Sequence, residues 1–332
     1  MEPVISVVLP VYNERESLEA LLTRLVPVLE KAVGESFEAV FVDDGSDDGS
    51  AEILNAFHEQ DERLKVIHFA RNFGHQAAFQ AGLDQASGQA VVLMDADLQH
   101  PPEMVEQFIE RWRMGFDVVY GMAKTRSEGL LKRAAYIFFY RSLNFLAQID
   151  VPLHAGDFCL LDRRVVDVLV ALPERNRFLR GLRSWVGFKQ LALEYRQEPR
   201  YAGVPKYTFR KLTQLALSGY IGFSTAPLHA AAWLGFLSTG AGFAMTGWAL
   251  STKILGIPSP RGWVSTIAVV LYVGGVQLLI LGVIGEYLSR VYDEVRRRPL
   301  YIVRSRVGWD TDGAAVPQNR FARDGAVRQE VP

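Results

Sequence analysis

The sequence predicts an α/β fold with a mainly parallel central sheet, followed by interface helices and a two-helix transmembrane hairpin. Three observations support this prediction. Short apolar runs alternate with amphipathic segments over residues 1 to about 120, a pattern typical of a parallel sheet covered by helices. Acidic residues directly follow two of the runs, at strand ends where open α/β sheets bind ligands. Two long stretches without charged side chains lie further on.

The alternating region divides into five strands and four helices. The predicted strands cover 4–10, 37–42, 64–69, 90–94 and 116–120, and the predicted helices cover 15–31, 50–60, 75–86 and 102–113. The turn after the first strand has no G-x-G-x-x-G sequence, so a dinucleotide-binding Rossmann fold would lack its phosphate-binding turn. We therefore expect a nucleotide-binding fold of another kind.

The fourth strand ends at Asp95 and Asp97, with Gln99 two residues further on. On extended backbone these three side chains point to the same side. Their hard oxygen atoms suit Mg²⁺ or Mn²⁺ that shares its shell with a diphosphate. The alternative is an acidic turn that caps the helix starting at Pro101-Pro102. We favour the metal because other strands also end in polar residues.

The second strand ends at Asp43 and Asp44, in FVDDGSDDGS. A calcium loop is excluded because Gly45 breaks the ligand spacing and the twelfth position is Leu54. A turn that caps the next helix is the alternative. At the tip of the sheet, however, the Asp44 carboxylate can accept the imide N–H of a uracil base.

Two further loops are expected at the same crevice. After the third strand, RNFGHQ offers the Arg71 guanidinium and helix N-terminal amides to phosphate oxygens, although Arg71 can equally be a solvent-exposed loop residue. After the first strand comes a turn that contains Pro10, Tyr12, Asn13 and Glu14.

Composition limits the partners and the compartment. The 332 residues are 49% hydrophobic with a formal net charge of −1, so no general attraction to nucleic acid is expected. The single cysteine, Cys159, excludes an intramolecular disulfide and indicates a reducing compartment. The N-terminus lacks a basic n-region and Pro10 interrupts its apolar run, so we expect a strand there and a cytoplasmic start.

Two charge-free stretches, Leu212–Thr252 and Gly262–Gly285, predict membrane crossings near 228–250 and 263–285. The alternative is a pair of buried helices in a soluble core. The first stretch is too long for one span, so an interface helix is expected before Pro227. Basic residues precede the first span and follow the second, which predicts that both termini lie on the cytoplasmic side of the inner membrane.

Several motifs together resemble a known family. VVLPVYNE, FVDDGS, RNFG, MDADLQHPPE and GDF (Gly156 to Phe158) resemble family 2 inverting glycosyltransferases of the GT-A fold. RFLRGLRSWVGF (Arg177 to Phe188), Lys206-Tyr207, the paired spans and GEYLSRVYDEVRRRPLYIV (Gly285 to Val303) are similar, more narrowly, to polyprenyl-phosphate glycosyltransferases. Bactoprenol glucosyltransferases and dolichol-phosphate mannose synthases belong to that group. The resemblance covers residues 4 to about 304.

The resemblance, together with the charge-free stretches and the polar tail, implies four regions. They are a cytoplasmic GT-A domain (1–210), an amphipathic interface helix (211–227), two transmembrane helices (228–290) and a cytoplasmic C-terminal segment with a disordered tail (291–332). It also implies a homo-oligomer, such as a tetramer.

The resemblance implies roles for individual residues. Asp97 and Gln99, with Asp95, would hold the divalent ion. Asp157 of GDF would be an active-site carboxylate near the acceptor, while basic side chains would receive the lipid phosphate: Arg126, Arg133, Arg200 and Lys206. The nucleotide sugar would contact Pro10, Tyr12, Asn13, Glu14, Asp43, Asp44, Arg71, Gln76, Asp95 and Ala96.

The implied reaction is inverting transfer of a hexose to the phosphate of a membrane polyprenol, with Mg²⁺ or Mn²⁺ bound. UDP-glucose is the favoured donor; GDP-mannose and a UDP-aminoarabinose derivative remain open. Three positions depart from the family pattern and concern the acceptor: Lys124 stands where an arginine is usual, Cys159 follows GDF in place of an arginine, and Pro205 precedes Lys206.

Two other classes of protein share parts of this pattern. A processive polysaccharide synthase would carry Q-x-x-R-W and a larger membrane channel, whereas QFIERW (Gln107 to Trp112) is one residue too long and two spans cannot readily form a channel. A membrane-bound sugar-nucleotide sensor is the non-enzymatic alternative. The intact set of Asp95, Asp97, Gln99 and Asp157 argues against it.

Overall fold

A computed structural model describes residues 3–123, 155–175, 177–198, 226–255 and 262–309. The described strands are β1 Ile5–Val11, β2 Phe37–Asp43, β3 Leu64–Phe69, β4 Ala90–Leu93, β5 Val118–Ala123, β6 Ala155–Asp162, β7 Gln190–Tyr195 and β8 Val303–Val307. The described helices are α1 Arg15–Val33, α2 Ser50–Gln60, α3 His75–Gln85, α4 Met104–Arg113, α5 Arg163–Ala171, α6 Leu179–Trp185, α7 Ala226–Ile254 and α8 Trp263–Arg296. These elements form two compact units: one holds the strands and α1 to α6, the other holds α7 and α8.

The strands form one sheet in the order β7-β5-β6-β4-β1-β2-β3-β8. Four of the described pairings are parallel (β1 with β2, β1 with β4, β2 with β3, β5 with β7), and three are antiparallel (β3 with β8, β4 with β6, β5 with β6). The prediction of an α/β fold with a mostly parallel sheet is confirmed. The prediction was incomplete, because it did not include β6, β7 and β8.

The five predicted strands and four predicted helices all form, with ends displaced by at most about three residues. The helix expected from residue 102 begins at Met104 instead. The amide of Met104 donates to the Pro101 carbonyl, and that of Val105 to the Pro102 carbonyl, so the two prolines form a turn before the helix.

Strand burial explains why the central region could be predicted. Every residue of β1, β2 and β4 is buried, as expected for strands covered on both faces. The α1 helix packs against this sheet through Leu18, Leu21, Leu25 and Leu29, which recur at helical spacing and are fully buried.

The position of β6 determines which residues share a sheet edge. β6 lies between β4 and β5 and runs antiparallel to both, with Leu93 opposite Cys159. Its N-terminal end, which carries Asp157, therefore lies beside the carboxyl end of β4, which leads to Asp95. An antiparallel strand thus adds a carboxylate to the edge formed by the ends of the parallel strands.

The chain returns to the sheet after α8. β8 pairs with β3, the Ala70 amide donates to the Ile302 carbonyl, and Tyr301 stacks on Phe69 at a ring separation of 5.1 Å. Trp309, within the predicted tail, lies 5.4 Å from the Lys65 ammonium. The packed part of this unit therefore extends at least to Trp309.

The second unit contains the long apolar helices. Within the described ranges, one stretch, Ala268–Arg296 in α8, is long and apolar enough to cross a membrane. The hairpin of two spans stays a prediction. The predicted interface helix at 211–227 lies almost wholly outside the described residues.

A buried carboxylate ties the first three strands and the α3–β4 loop together. Glu38 is 2% exposed and accepts hydrogen bonds from the Ser6 hydroxyl (2.6 Å), the Ser87 amide (2.7 Å) and the Lys65 ammonium (2.8 Å). Burial alone would raise the pKa of Glu38, but these hydrogen bonds lower it below its usual value.

We predict that Glu38→Gln destabilises the protein, because an amide cannot balance the Lys65 charge and places N–H groups against other donors. The expected loss is about 2–4 kcal/mol, which corresponds to a fall in Tm of roughly 5–10 °C. Thermal unfolding of the purified full-length protein measures this change. The exposed neighbour Glu35 provides the control variant Glu35→Gln, which should leave Tm within about 1 °C.

Glu38→Gln should also change how the stability of the protein depends on pH. Because the folded-state pKa of Glu38 is depressed, its contribution is complete above the unfolded pKa of about 4.3 and is lost as pH falls through the folded value. The Tm difference between wild type and Glu38→Gln should therefore shrink below about pH 4. A difference that is constant with pH would contradict a role for the ionised carboxylate.

Candidate active site

The carboxyl ends of β1, β2 and β4, the N-terminal end of β6 and the start of α3 meet at one edge of the sheet. The turn after β1 is fixed by the turn after β2. Asn13, in a left-handed conformation with φ 55°, exchanges two hydrogen bonds with Asp47, and the Glu14 amide donates to the Ser50 hydroxyl. Pro10 is buried, and Tyr12, the residue after β1, is 38% exposed.

Asp44 is held by the segment that leads into α3. Its carboxylate oxygens accept from the Phe73 amide (2.6 Å) and the Gly74 amide (3.0 Å). The neighbouring Gly45 permits this approach: its φ is 73°, and a Cβ there would lie 2.7 Å from the Arg71 carbonyl carbon. Burial raises the pKa of Asp44, although both amides oppose the shift. The N–H group of a nucleobase would therefore have to donate to a lone pair of the Asp44 carboxylate that these amides do not use.

Asp43 has a different environment. It is buried, and it accepts from the Ser46 amide (2.9 Å) and contacts His68 Nδ1 (2.9 Å), while His68 Nε2 contacts Asn55 (2.9 Å). Burial favours the neutral acid, but the hydrogen bonds from His68 and Ser46 lower the pKa of Asp43. Asp43 therefore stabilises the turn after β2 through its contacts with Ser46 and His68.

Asp95 is paired with the first residue of α3. His75 Nε2 lies 2.6 Å from its carboxylate, and His100 Nδ1 lies 3.7 Å away. The His75 side chain is 43% exposed, so burial opposes its charge only in part, and the negative charge of Asp95 and the hydrogen bond to it raise the pKa of His75 to about 9. Burial likewise opposes ionisation of Asp95, and the charges of His75 and His100 lower its pKa. Asp95 is therefore a carboxylate at neutral pH.

The loop after Asp95 is built on an unusual backbone. Leu98 has φ 60°, a conformation rare for a residue with a branched side chain, and its side chain is 3% exposed. The Ala96 carbonyl accepts from the Ser17 hydroxyl (3.0 Å), and Asp97 accepts from the Gln99 amide (3.1 Å). Core packing and these hydrogen bonds hold the strained turn in place.

Asp157 is 6% exposed and has three donors. Arg180 donates through Nε (2.8 Å) to Oδ1 and through Nη2 (3.0 Å) to Oδ2, and Gln76 Nε2 donates to Oδ2 (3.3 Å). Gln76 also accepts from the Leu179 amide (3.1 Å), which fixes its amide orientation. Burial would raise the pKa of Asp157, but the charge and hydrogen bonds of Arg180 lower it.

Residues 73–76 therefore contact carboxylates from three strands. The amides of Phe73 and Gly74 bind Asp44 after β2, His75 binds Asp95 after β4, and Gln76 binds Asp157 on β6. We call residues 73–76 the α3 entry segment. It places Asp44, Asp95 and Asp157 around one short piece of backbone.

Other predicted residues are not brought together in this way. Arg71 is exposed; it donates to the Asn72 carbonyl and lies over the Phe73 ring at 4.1 Å. The predicted acceptor residues lie outside the described residues, as does Lys124: Arg126, Arg133, Arg200 and Lys206.

The sequence reasoning missed His75, His100 and Arg180. His75 stood inside the RNFGHQ motif, directly after the glycine that precedes the helix, but only its neighbours were assigned. Arg177, Arg180 and Arg183 recur every third residue in RFLRGLRSW, which indicates one basic helix face. That spacing was the available signal for Arg180.

The oxygen-rich loop suits a divalent ion. Within the part of the chain that the structure describes, no group of three His, Cys, Asp or Glu side chains is arranged to hold a metal ion by itself. The nearest donor set is Asp95, Asp97 and Gln99, two carboxylates and an amide, and the Gln99 amide oxygen accepts from Gln197 (3.3 Å). Such a set fits Mg²⁺ or Mn²⁺ if a ligand's phosphate oxygens or water complete the shell.

Comparison with known proteins identifies the family. Residues 6–170 match the model of glycosyl transferase family 2. An uncharacterized glycosyltransferase, YkcC of Bacillus subtilis, is 45% identical over 91% of this chain and 94% of its own length. A bactoprenol glucosyl transferase of Shigella phage SfII is 40% identical over 90% of this chain and 97% of its own length.

Solved structures show only a remote likeness. A mannosyltransferase from Pyrobaculum calidifontis, in complex with GDP-Man and Mn²⁺, is 18% identical and covers 85% of this chain and 88% of that chain, with a TM-score of 0.42. The assignment therefore rests on the sequence relatives and the family model. The chain belongs to glycosyl transferase family 2.

Proposed function

We propose that this glycosyltransferase transfers a hexose, with inversion, from a nucleotide sugar to the phosphate of a membrane polyprenol. The observation that carries the proposal is the convergence of Asp44, Asp95 and Asp157 on the α3 entry segment, beside the oxygen donors of the Asp97 loop. The acceptor is supported by relatives at 38–40% identity that are named bactoprenol glucosyl transferases.

The donor would occupy the crevice between the ends of β1, β2 and β4. Asp44, buried and held by two backbone amides, would face the base, and the turn of Pro10 to Glu14 would enclose it. Asp95 and Ala96 would lie along the ribose and diphosphate. UDP-glucose is the favoured donor, while GDP-mannose and a UDP-aminoarabinose derivative are the alternatives.

Asp97 and Gln99, together with Asp95, would hold a divalent ion. When bound, Mg²⁺ or Mn²⁺ supplies Lewis-acid stabilisation of the charge that grows on the departing diphosphate. The oxygen ligands of Asp97 and Gln99 lie in a loop whose backbone is held by the left-handed conformation of Leu98 and by the hydrogen bond from the Ser17 hydroxyl to the Ala96 carbonyl. This rigidity limits the reorganisation needed as charge develops.

The acceptor needs little activation. A phosphate monoester has a second pKa of about 6, so it is already a nucleophile near neutral pH. In a single displacement, one of its oxygens would bond to the anomeric carbon as the bond from that carbon to the nucleoside diphosphate breaks. Asp157 would orient the reactants and act at most as a weak base, since Arg180 keeps its pKa low.

Attachment to the membrane would serve the same reaction. A polyprenol keeps its phosphate at the headgroup level, so the catalytic unit has to stay near that surface. The apolar stretch Ala268–Arg296 supports membrane association. The proposed protein has two spans, cytoplasmic termini and an interface helix at 211–227, and it forms a homo-oligomer. The candidate contacts to the lipid phosphate are Arg126, Arg133, Arg200 and Lys206.

We predict that Asp97→Asn lowers the rate of sugar transfer to polyprenyl phosphate by roughly 10²- to 10³-fold, because removing this charge weakens diphosphate stabilisation. Formation of lipid-linked sugar in membranes that contain the variant measures the effect. Asp167→Asn is the matched control, since Asp167 is 65% exposed on α5 and should leave the rate unchanged. Equal rates for Asp97→Asn and wild type would refute the metal role.

We also predict that UDP-glucose gives the highest yield of lipid-linked sugar among radiolabelled UDP-glucose, GDP-mannose and UDP-aminoarabinose derivatives. Incubation of membranes with each donor, followed by lipid extraction, compares them. A preference for GDP-mannose would change the donor and leave the reaction class intact. Tight UDP binding without transfer from any donor would instead support the sensor.

A further inference from the structure

The segment that follows α8 in the chain lies along β3, and we call its residues 301–309 the C-terminal strap. Within the strap, β8 pairs antiparallel with β3. Val307 lies opposite Val66 near the start of β3, and Val303 lies opposite Phe69 at its end. Because β3 leads to the α3 entry segment, the beginning of the strap lies at the end of β3 from which that segment departs.

Three aromatic rings connect the strap to the α3 entry segment. The Tyr301 ring stacks on that of Phe69, with centroids 5.1 Å apart and planes 12° from parallel. The Phe69 ring in turn meets that of Phe73 edge to face, at 5.7 Å and 90°. Both arrangements are favourable for aromatic pairs. Since Phe69 is buried in the core and Phe73 is the first residue of the α3 entry segment, Tyr301 packs on the residue that supports Phe73.

The Tyr301 hydroxyl binds the helix on the other side of the α3 entry segment. It donates to Oδ2 of Asp84 on α3 (2.6 Å), and Oδ1 of the same carboxylate accepts from Gln80 Nε2 (2.7 Å), one turn earlier on that helix. Burial and the neighbouring Asp84 carboxylate raise the pKa of Tyr301, so its hydroxyl stays protonated and able to donate. Tyr301 therefore bridges β3 and α3, the two elements between which the α3 entry segment lies.

The backbone between β3 and the α3 entry segment also contacts the strap. The Ala70 amide donates to the Ile302 carbonyl (2.9 Å), whereas residues 71–72, which follow, are exposed. An exposed connection contributes little packing of its own. The position of Phe73, whose amide donates to the Asp44 carboxylate (2.6 Å), therefore depends on the anchored residues on either side of that connection.

We propose that Tyr301 is a positioning residue for the nucleotide site: through Phe69 and α3 it holds the α3 entry segment where two backbone amides bind Asp44. This inference rests on the proposed function, in which Asp44 contacts the base. Without Tyr301, only a fraction of the molecules would keep Asp44 in that geometry, and the apparent nucleotide affinity would fall by that fraction. The segment that follows the long apolar helix would thus contribute to donor binding without contacting the donor.

Calorimetric titration of the purified full-length protein with UDP, and separately with GDP, in the presence of Mn²⁺ tests the inference. Tyr301→Ala should raise the Kd of the nucleotide that the wild type binds by roughly three- to thirtyfold, a loss in the range of one aromatic pair and one hydrogen bond. Tyr301→Leu, which fills part of the same space and disturbs folding less, should raise this Kd as well. Tyr301→Phe keeps the ring on Phe69 and should recover most of the affinity.

Trp309→Ala is the matched control. Trp309 is an aromatic residue of the same strap and packs against the same apolar cluster as Tyr301, but its ring lies 5.4 Å from the Lys65 ammonium, near the start of β3. Both alanine variants should lower Tm, because each removes buried apolar area. Only Tyr301→Ala should raise the nucleotide Kd. An equal rise in Trp309→Ala would show that general destabilisation causes the loss, and the positioning role would be rejected.

The route through the aromatic rings is tested by a double-mutant cycle. If Tyr301 acts through Phe69 on Phe73, Phe73→Ala should also raise the nucleotide Kd, and adding Tyr301→Ala should raise it much less than additively. An unchanged Kd in Tyr301→Ala and Tyr301→Leu, or fully additive effects in the cycle, would overturn the inference while leaving the proposed function intact. Wild-type protein that binds neither UDP nor GDP would instead refute the proposed function.

Discussion

The site depends on one electrostatic constraint: carboxylates from three strands must lie close together without repelling one another. The α3 entry segment meets this constraint because its four residues supply donors to three different acids. Two backbone amides hold Asp44, the His75 imidazolium neutralises Asp95, and Gln76 binds Asp157 while Arg180 balances its charge. Removing one of these donors would leave a partly buried carboxylate with fewer hydrogen bonds or with an unbalanced charge, which is costly.

Sheet topology makes this arrangement possible. The parallel pairings of β1 with β2 and with β4 bring their carboxyl ends to one edge, and the antiparallel β6 places Asp157 at that same edge. The Asp95 and Asp157 carboxylates thus come from strands of opposite direction and meet across adjacent strands. After α8 the chain returns to the same sheet as β8, which pairs with β3 at the end of the sheet opposite β7.

Local sequence predicted the parallel half of the sheet well, because β1, β2 and β4 are buried throughout and their apolar runs end in acids. It did not predict β8, where Arg304, Ser305 and Arg306 interrupt the apolar pattern, or the insertion of β6 between β4 and β5. For the site, the motifs predicted Asp44, Asp95, Asp97 and Asp157, together with Gln76, which contacts Asp157, but not the charged partners of these carboxylates. His75 and His100 become recognisable only once tertiary packing brings them to Asp95. The spacing of Arg177, Arg180 and Arg183 indicated a basic helix face, but not the pairing of Arg180 with Asp157.

We propose that these strand ends bind a divalent ion and a nucleoside diphosphate in one crevice. Anomalous scattering from crystals of the full-length protein grown with Mn²⁺ and UDP tests it most directly. Such a site should give a single strong manganese peak about 2.0–2.2 Å from an Asp97 oxygen, with the UDP phosphates on the same ion and the uracil base next to Asp44. A manganese peak away from Asp97, or UDP bound elsewhere on the sheet, would contradict it.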